Sequence, residues 1–217
     1  MIVIVDYGMG NLHSIKNKIE RLKHEVIISA DPLEIQAASR LILPGVGHFA
    51  QGMENLHQLQ LIEVLNEKVL NQKTPVLGIC LGMQLLTNHS EEGDVDGLKW
   101  IDAETRLFRF DNSCNPLRIP HVGWNLLNRQ KDSYLFTDIP FNLRFYFVHS
   151  YYVNCRNPEN IMAETTYGNT FCSVIQHYNI YGTQFHPEKS HKRGLQLIDN
   201  FIRYSDVASP SHSLPAT

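Results

Sequence analysis

The sequence predicts an α/β fold: a mostly parallel central sheet with helices on both faces, carrying an antiparallel β addition in its second half. Three observations carry that prediction. Between Met1 and Gln84, short apolar runs alternate with helix-periodic stretches, the pattern of a parallel sheet assembled from βα units. The runs are apolar through their length, as strands covered on both faces are. From Gly93 to about Tyr178 the texture changes to short β-rich segments broken by turns. With 217 residues the chain is long enough for one such domain and a sizeable core.

Met1 to Val5 reads as a buried parallel strand. The turn Asp6-Tyr7-Gly8-Met9-Gly10-Asn11 follows, and then a helix with Leu12, Ile15, Ile19 and Leu22 on its apolar face. The G-x-G turn invites a dinucleotide reading, but the third glycine of G-x-G-x-x-G falls on His13 and no acidic residue ends the next strand. Val26 to Ser29 is a second strand, Asp31 caps a short helix beginning at Pro32, and Arg40 to Leu43 is a third strand. That strand stops at Pro44-Gly45-Val46-Gly47. Two glycines around one valine let successive amides turn toward an anion, which makes the loop a candidate oxyanion donor; a plain turn is the alternative.

Met53 to Asn71 carries Met53, Leu56, Leu61, Val64, Leu65 and Val69 at helical spacing. The next apolar run, Pro75-Val76-Leu77-Gly78-Ile79, enters Cys80-Leu81-Gly82-Met83-Gln84. Gly78-x-Cys80-x-Gly82 is the thiol counterpart of the G-x-S-x-G nucleophile elbow, in which small flanking residues allow a sharp strand-to-helix corner. A buried structural cysteine is the plainer reading. Because parallel strands gather their loops at their carboxyl ends, Cys80 and the Pro44–Gly47 loop can share one crevice.

The second half offers strands at Arg106 to Phe110, Leu117 to Ile119, Arg144 to His149, Asn160 to Glu164 and Phe171 to Gln176, read as an addition to the core rather than a second domain. Ile180 to Phe185 is a further strand, followed by His186-Pro187-Glu188-Lys189-Ser190 and a closing helix with Leu195, Leu197, Ile198, Phe201 and Ile202 apolar. One domain therefore spans 1–204, and residues 205–217, Pro- and Ser-rich from Ala208, are expected to be a disordered tail.

With 22 acidic against 19 basic side chains and a net charge of -3, the chain lacks the basic balance of a nucleic-acid partner. No stretch approaches the ~20 apolar residues of a membrane span, and the amino-terminal apolar run is too short for a signal peptide. The 4 cysteines, Cys80, Cys114, Cys155 and Cys172, form no C-x-x-C pair and no compact framework. A reducing, cytoplasmic setting is the expectation.

A cysteine nucleophile needs a base, and the base needs a group to orient it. His186 and Glu188 meet this by spacing, since residues two apart in an extended segment project to one side and Pro187 fixes the backbone between them. With 11 histidines in the chain, such a pair also arises by chance. A metal reading on His186, Glu188 and His191 fails for want of H-E-x-x-H or any Cys/His cluster spacing, so no metal is expected.

Through Pro44-Gly45-Val46-Gly47, Gly78-Ile79-Cys80-Leu81-Gly82-Met83-Gln84 and Gln184-Phe185-His186-Pro187-Glu188-Lys189-Ser190, the chain resembles the class I, triad-type glutamine amidotransferases. It resembles more narrowly the HisH family, the glutaminase subunits of imidazole glycerol phosphate synthase. Asp6-Tyr7-Gly8-Met9-Gly10-Asn11, Pro120-His121-Val122-Gly123-Trp124-Asn125 and Tyr146-Phe147-Val148-His149-Ser150-Tyr151 carry that likeness, which runs from Met1 to about Tyr204 in motif order.

The resemblance implies a class I amidotransferase-like fold and a glutaminase that forms a heterodimer with a HisF-type (β/α)8-barrel cyclase and passes ammonia to it. The barrel then makes imidazole glycerol phosphate and an aminoimidazole carboxamide ribotide in histidine biosynthesis. By position, Cys80 attacks the glutamine carboxamide, His186 is the base that then protonates the departing ammonia, and Glu188 orients His186. Amides at Leu81 and in the Val46–Gly47 loop would hold the oxyanion. Gln84, Glu92, His149, Ser150 and Tyr151 would hold L-glutamine. No cofactor is needed.

Ammonia escaping into bulk water would be protonated and lost, so the crevice mouth must be covered. Trp124, Asn125, Tyr146 and Lys189 fall there by motif position and are the expected partner interface, although aromatic core positions and a solvated lysine are the duller readings. The segment His186 to Lys192 and Val122 also resemble paralogous subunits serving amino-sugar or surface-polysaccharide pathways, which leaves the triad intact and changes the acceptor. Two other classes compete. A related cysteine peptidase would leave Gln84 and the Tyr146–Tyr151 segment without a role, and an inactive partner-binding scaffold would have no need of all three triad members.

Overall fold

The computed structural model describes residues 1–110 and 117–204; Cys114 and the expected tail 205–217 lie outside the described residues. In chain order the elements are β1 (Ile2–Val5), α1 (Leu12–Arg21), β2 (Val26–Ser29), α2 (Pro32–Gln36), β3 (Arg40–Leu43), α3 (Phe49–Gln58), α4 (Leu61–Asn66), β4 (Val76–Ile79) and α5 (Leu81–Leu85). The second half adds β5 (His89–Ser90), β6 (Val95–Asp96), β7 (Ala103–Leu107), β8 (His121–Leu126), β9 (Asn128–Arg129), β10 (Arg144–His149) and β11 (Tyr151–Cys155). It ends with β12 (Ile161–Tyr167), β13 (Asn169–His177), β14 (Ile180–Thr183) and α6 (His191–Tyr204).

Among the described residues the main sheet has twelve strands, in the order β2-β1-β3-β4-β14-β13-β11-β7-β5-β6, with β12 branching from β13 and β9 pairing with β12. From β2 to β14 every pairing is parallel. At β13 the direction reverses, and β11, β7 and β12 continue antiparallel, so the expected addition shares one sheet with the parallel half. β8 and β10 form a separate two-stranded antiparallel sheet.

Helices cover both faces, and β1 shows how. Ile2 and Ile4 pack in a core with Ile15 and Ile19 of α1 and Leu197, Ile198 and Phe201 of α6, while Val3 and Val5 face a second core with Ile35, Phe49, Leu56 and Leu61. Alternate side chains of a strand point to opposite faces, so a wholly apolar run serves two cores at once. Among the described residues no helix is long and apolar enough to cross a membrane.

Several expected elements shift. The helix expected over Met53 to Asn71 is divided: Gln60 takes a left-handed backbone (φ 57°) between α3 and α4, and Glu67–Asn71 winds as a π turn. Asn179 stabilises that wide turn by donating to the carbonyls of Val69 (2.9 Å) and Thr74 (3.0 Å). The strand expected at Arg106 to Phe110 lies earlier, as β7. No strand forms at Leu117 to Ile119; the chain pairs instead from His121, as β8. β8 escapes a hydrophobicity reading because its polarity is inverted: Val122, Trp124 and Leu126 are exposed, while His121 is buried.

Candidate active site

The parallel strands β1, β3, β4 and β14 deliver their carboxyl ends to one edge of the sheet, and Cys80 is the first residue past β4. Its backbone sits at φ 54°, ψ -109°, a region that side-chain-bearing residues rarely occupy, and its N–H donates to Thr183 O at 2.8 Å. The flanking glycines serve close approach rather than unusual dihedrals. A Cβ on Gly78 would lie 2.7 Å from Gly82 O, and one on Gly82 would lie 1.7 Å from Leu43 O. Only a bare backbone lets α5 start so close to the end of β3.

Beyond β14 the chain continues through Gln184 and Phe185 to His186. The His186 ring Nδ1 lies 2.8 Å from Glu188 Oε1, with both side chains almost wholly buried. Ser190 Oγ donates to His186 O (2.7 Å) and accepts the Tyr146 N–H (3.0 Å), which ties this turn to β10. Among the described buried side-chain atoms, only His186 Nε2 and Glu188 Oε2 lack a hydrogen-bond partner. An uncommitted imidazole nitrogen beside a thiol is what a proton-transfer group requires. Burial disfavours a charged His186, but Cys80 and then Glu188 outweigh it, and the pKa is raised to about 10.

In front of Cys80 lies a cavity of about 230 Å³, lined by Val46, Gly47, Cys80, Leu81, Gln84, Glu92, Pro120, Val148, His149, Ser150 and Tyr151. Every residue singled out for oxyanion or glutamine contact therefore borders one space, sized for a ligand smaller than a drug-like molecule. Gly47 holds φ 130°, open to glycine and strained for other residues. Beneath the loop the Tyr7 hydroxyl donates to Pro44 O, and burial and then Cys80 push the Tyr7 phenol above its usual range. Glu92 Oε2 accepts the Phe49 N–H at 2.7 Å, so this carboxylate also satisfies the start of α3. Gln84 donates to Tyr151 O (2.9 Å) and to Gln184 Oε1 (3.2 Å).

The expected interface residues divide. Tyr146 pairs with Trp124 across β8 and β10, their rings 6.0 Å apart, and Lys189 Nζ sits 5.9 Å from the Tyr146 ring centroid. His191, considered above as a ligand, instead stacks flat on Trp124 at 4.8 Å. Asn125 points the other way, donating to Thr166 O (2.9 Å) and His121 Nε2 (3.3 Å). Val122 and Leu126, on the same face of β8 as Trp124, are exposed with it.

Sequence reasoning missed Gln184, His121 and Tyr7 as site residues. Gln184 was findable: it stands two before His186, and an extended strand end turns both toward Cys80. Tyr7 and His121 reach the site only through tertiary packing, which no local pattern reports.

Residues 3–204 match the family model for glutamine amidotransferase class-I. Imidazole glycerol phosphate synthase subunit HisH 2 of Methanococcus maripaludis is 53% identical over 94% of this chain and 99% of that protein. Subunit HisH 1 of Campylobacter jejuni (strain RM1221) is 46% identical over 94% of this chain and 100% of that protein. A crystal structure of a glutamine amidotransferase superposes with TM-score 0.69 at 16% identity, covering 95% of this chain and 100% of that one, which shows the shared fold. The chain belongs to the class I glutamine amidotransferase family and, within it, to the family of HisH subunits.

Proposed function

We propose that this chain is the glutaminase subunit of a cytoplasmic imidazole glycerol phosphate synthase, with residues 1–204 as its catalytic domain. It hydrolyses glutamine at Cys80, His186 and Glu188 and hands ammonia to a HisF-type barrel. The observation that carries the reading is the His186–Glu188 pair (2.8 Å) with His186 Nε2 uncommitted, next to Cys80, which lines the cavity.

The Cys80 sulfur attacks the carboxamide carbon of glutamine, and its thiol proton goes to His186 Nε2. Glu188 accepts the Nδ1–H of the ring and stabilises the imidazolium. The oxyanion is met by amides at Leu81 and in the Val46–Gly47 loop. As the C–N bond breaks, His186 returns its proton to the leaving nitrogen, giving ammonia and a thioester at Cys80. Water then attacks the thioester with His186 as base, and glutamate departs. Gln84, Glu92 and the His149–Tyr151 segment hold the amino-acid end of the substrate. The exposed apolar face of β8, with Tyr146 and Lys189, is where a partner would cover the mouth of the cavity and keep ammonia from bulk water.

The test pairs the chain with a HisF-type barrel and its acceptor, and reads glutamate release and cyclase product in parallel. Cys80→Ala is expected to abolish glutamine hydrolysis and leave ammonia-dependent synthesis by the barrel intact. Glutamine turnover surviving in Cys80→Ala would sink the assignment.

A further inference from the structure

Gln184 is wholly buried, and no step above uses it. Its Nε2 lies 3.8 Å from Cys80 Sγ, within reach of a bond to the larger sulfur atom. Which end of the carboxamide faces the sulfur is decided elsewhere. Tyr151 O can only accept, so the Gln84 group beside it at 2.9 Å is the NH2. That same NH2 donates to Gln184 at 3.2 Å, which fixes the Gln184 oxygen there and turns its NH2 toward Cys80.

Tyr151 O also receives a second, shorter bond, from His149 Nδ1 at 2.7 Å. His149 Nδ1 therefore carries the proton, and its Nε2 accepts from His121 Nδ1 at 3.0 Å. His121 Nε2 is then an acceptor too, and Asn125 Nδ2 donates to it at 3.3 Å. The Asn125 amide is held in that sense from outside the chain of bonds, since its Oδ1 accepts the Leu126 N–H (2.8 Å) and its Nδ2 also donates to Thr166 O (2.9 Å). Both ends thus dictate one direction. A proton added to either ring would set two N–H groups against each other, and burial accordingly lowers the His121 pKa to about 4 and the His149 pKa to about 3.

We propose that Gln184 is a further residue of the active site, holding the Cys80 sulfur with an N–H of its carboxamide, and that the His121–His149 pair positions it through Tyr151 and Gln84. The inference rests on Cys80 being the nucleophile. An N–H donated to sulfur favours the thiolate, so removing it makes the thiol harder to ionise. The other titratable groups facing the sulfur, His186 from the turn after β14 and Tyr7 from the end of β1, stay in place.

The experiment follows alkylation of Cys80 by iodoacetamide against pH in the full chain, resolved from the other cysteines by mass spectrometry, with thermal midpoints measured alongside. Gln184→Met is expected to move the midpoint of the pH profile up by about one to two units, the size of a hydrogen bond to a charged group. Gln184→Glu keeps an acceptor for Gln84, lacks the donor, and moves the midpoint the same way. His121→Phe is expected to produce a smaller shift of the same sign. A folded Gln184 variant with the wild-type midpoint overturns the sulfur contact, and a folded His121→Phe with the wild-type midpoint overturns the positioning role of the pair. If instead Cys80 of the wild-type chain is not protected from alkylation by glutamine, the nucleophile reading itself fails.

Discussion

Glu188 touches the chemistry only through His186, and its second oxygen is buried without a partner. Glu188→Gln keeps an oxygen for His186 Nδ1 and removes the charge that stabilises the imidazolium. Under the proposed mechanism kcat for glutamine should fall by about 10²- to 10⁴-fold, less than for loss of the nucleophile, with KM little changed. Steady-state glutamate release measures this, and an unchanged kcat would mean that another group orients His186. At this scale much was legible. Cys80 announces itself through its glycines and His186 through its carboxylate neighbour, because both are short-range patterns. Tyr7 and His121 carry no such mark: an interior Tyr or His looks the same in sequence whether it braces a site or merely fills a core.

Elements depend on how closely their backbones approach. α5 packs against the end of β3 with no room at Gly82, where an added Cβ would meet Leu43 O at 1.7 Å. Gly82→Ala must therefore push α5 away from the sheet. Overpacking costs about 1–3 kcal/mol, which corresponds to roughly 2–12 °C in Tm for a chain of this size. Gly52 in α3 is the control, since its Cβ would make ordinary contact with Leu85 at 3.4 Å. Gly52→Ala should hold or raise Tm, by helix propensity worth up to about 1 kcal/mol. Equal losses in both variants, read by thermal unfolding, would remove the close-approach argument. The parallel half was readable because apolar runs serve two cores. The break at Gln60 was not, because apolar spacing runs across it from Leu56 to Leu61, and β8 was not, because its apolar side chains face solvent.

Across the whole molecule, buried histidines set opposite pH limits. His121 and His149 have pKa values lowered by burial to about 4 and about 3. As pH falls below the ordinary histidine value of about 6.5, the unfolded chain binds protons that the native state refuses, so stability is lost progressively down through those native values. His186 acts in the other direction: its raised pKa contributes stability present below about 6.5 and lost as pH rises through about 10. Thermal midpoints of the wild type should therefore drop between pH 6.5 and 4, and His121→Phe should flatten that slope even if it lowers Tm throughout. Parallel curves for the two proteins would exclude the pair as the source. The strand end that displays the nucleophile sets a different kind of limit. Cys80 is held at φ 54°, where a residue with a side chain loses about 1–3 kcal/mol that glycine does not. A selection for heat resistance alone, blind to turnover, would drive this position to glycine. Sequences improved only for durability drift toward a dead enzyme here, and engineering for robustness has to leave the corner strained and find its gains elsewhere.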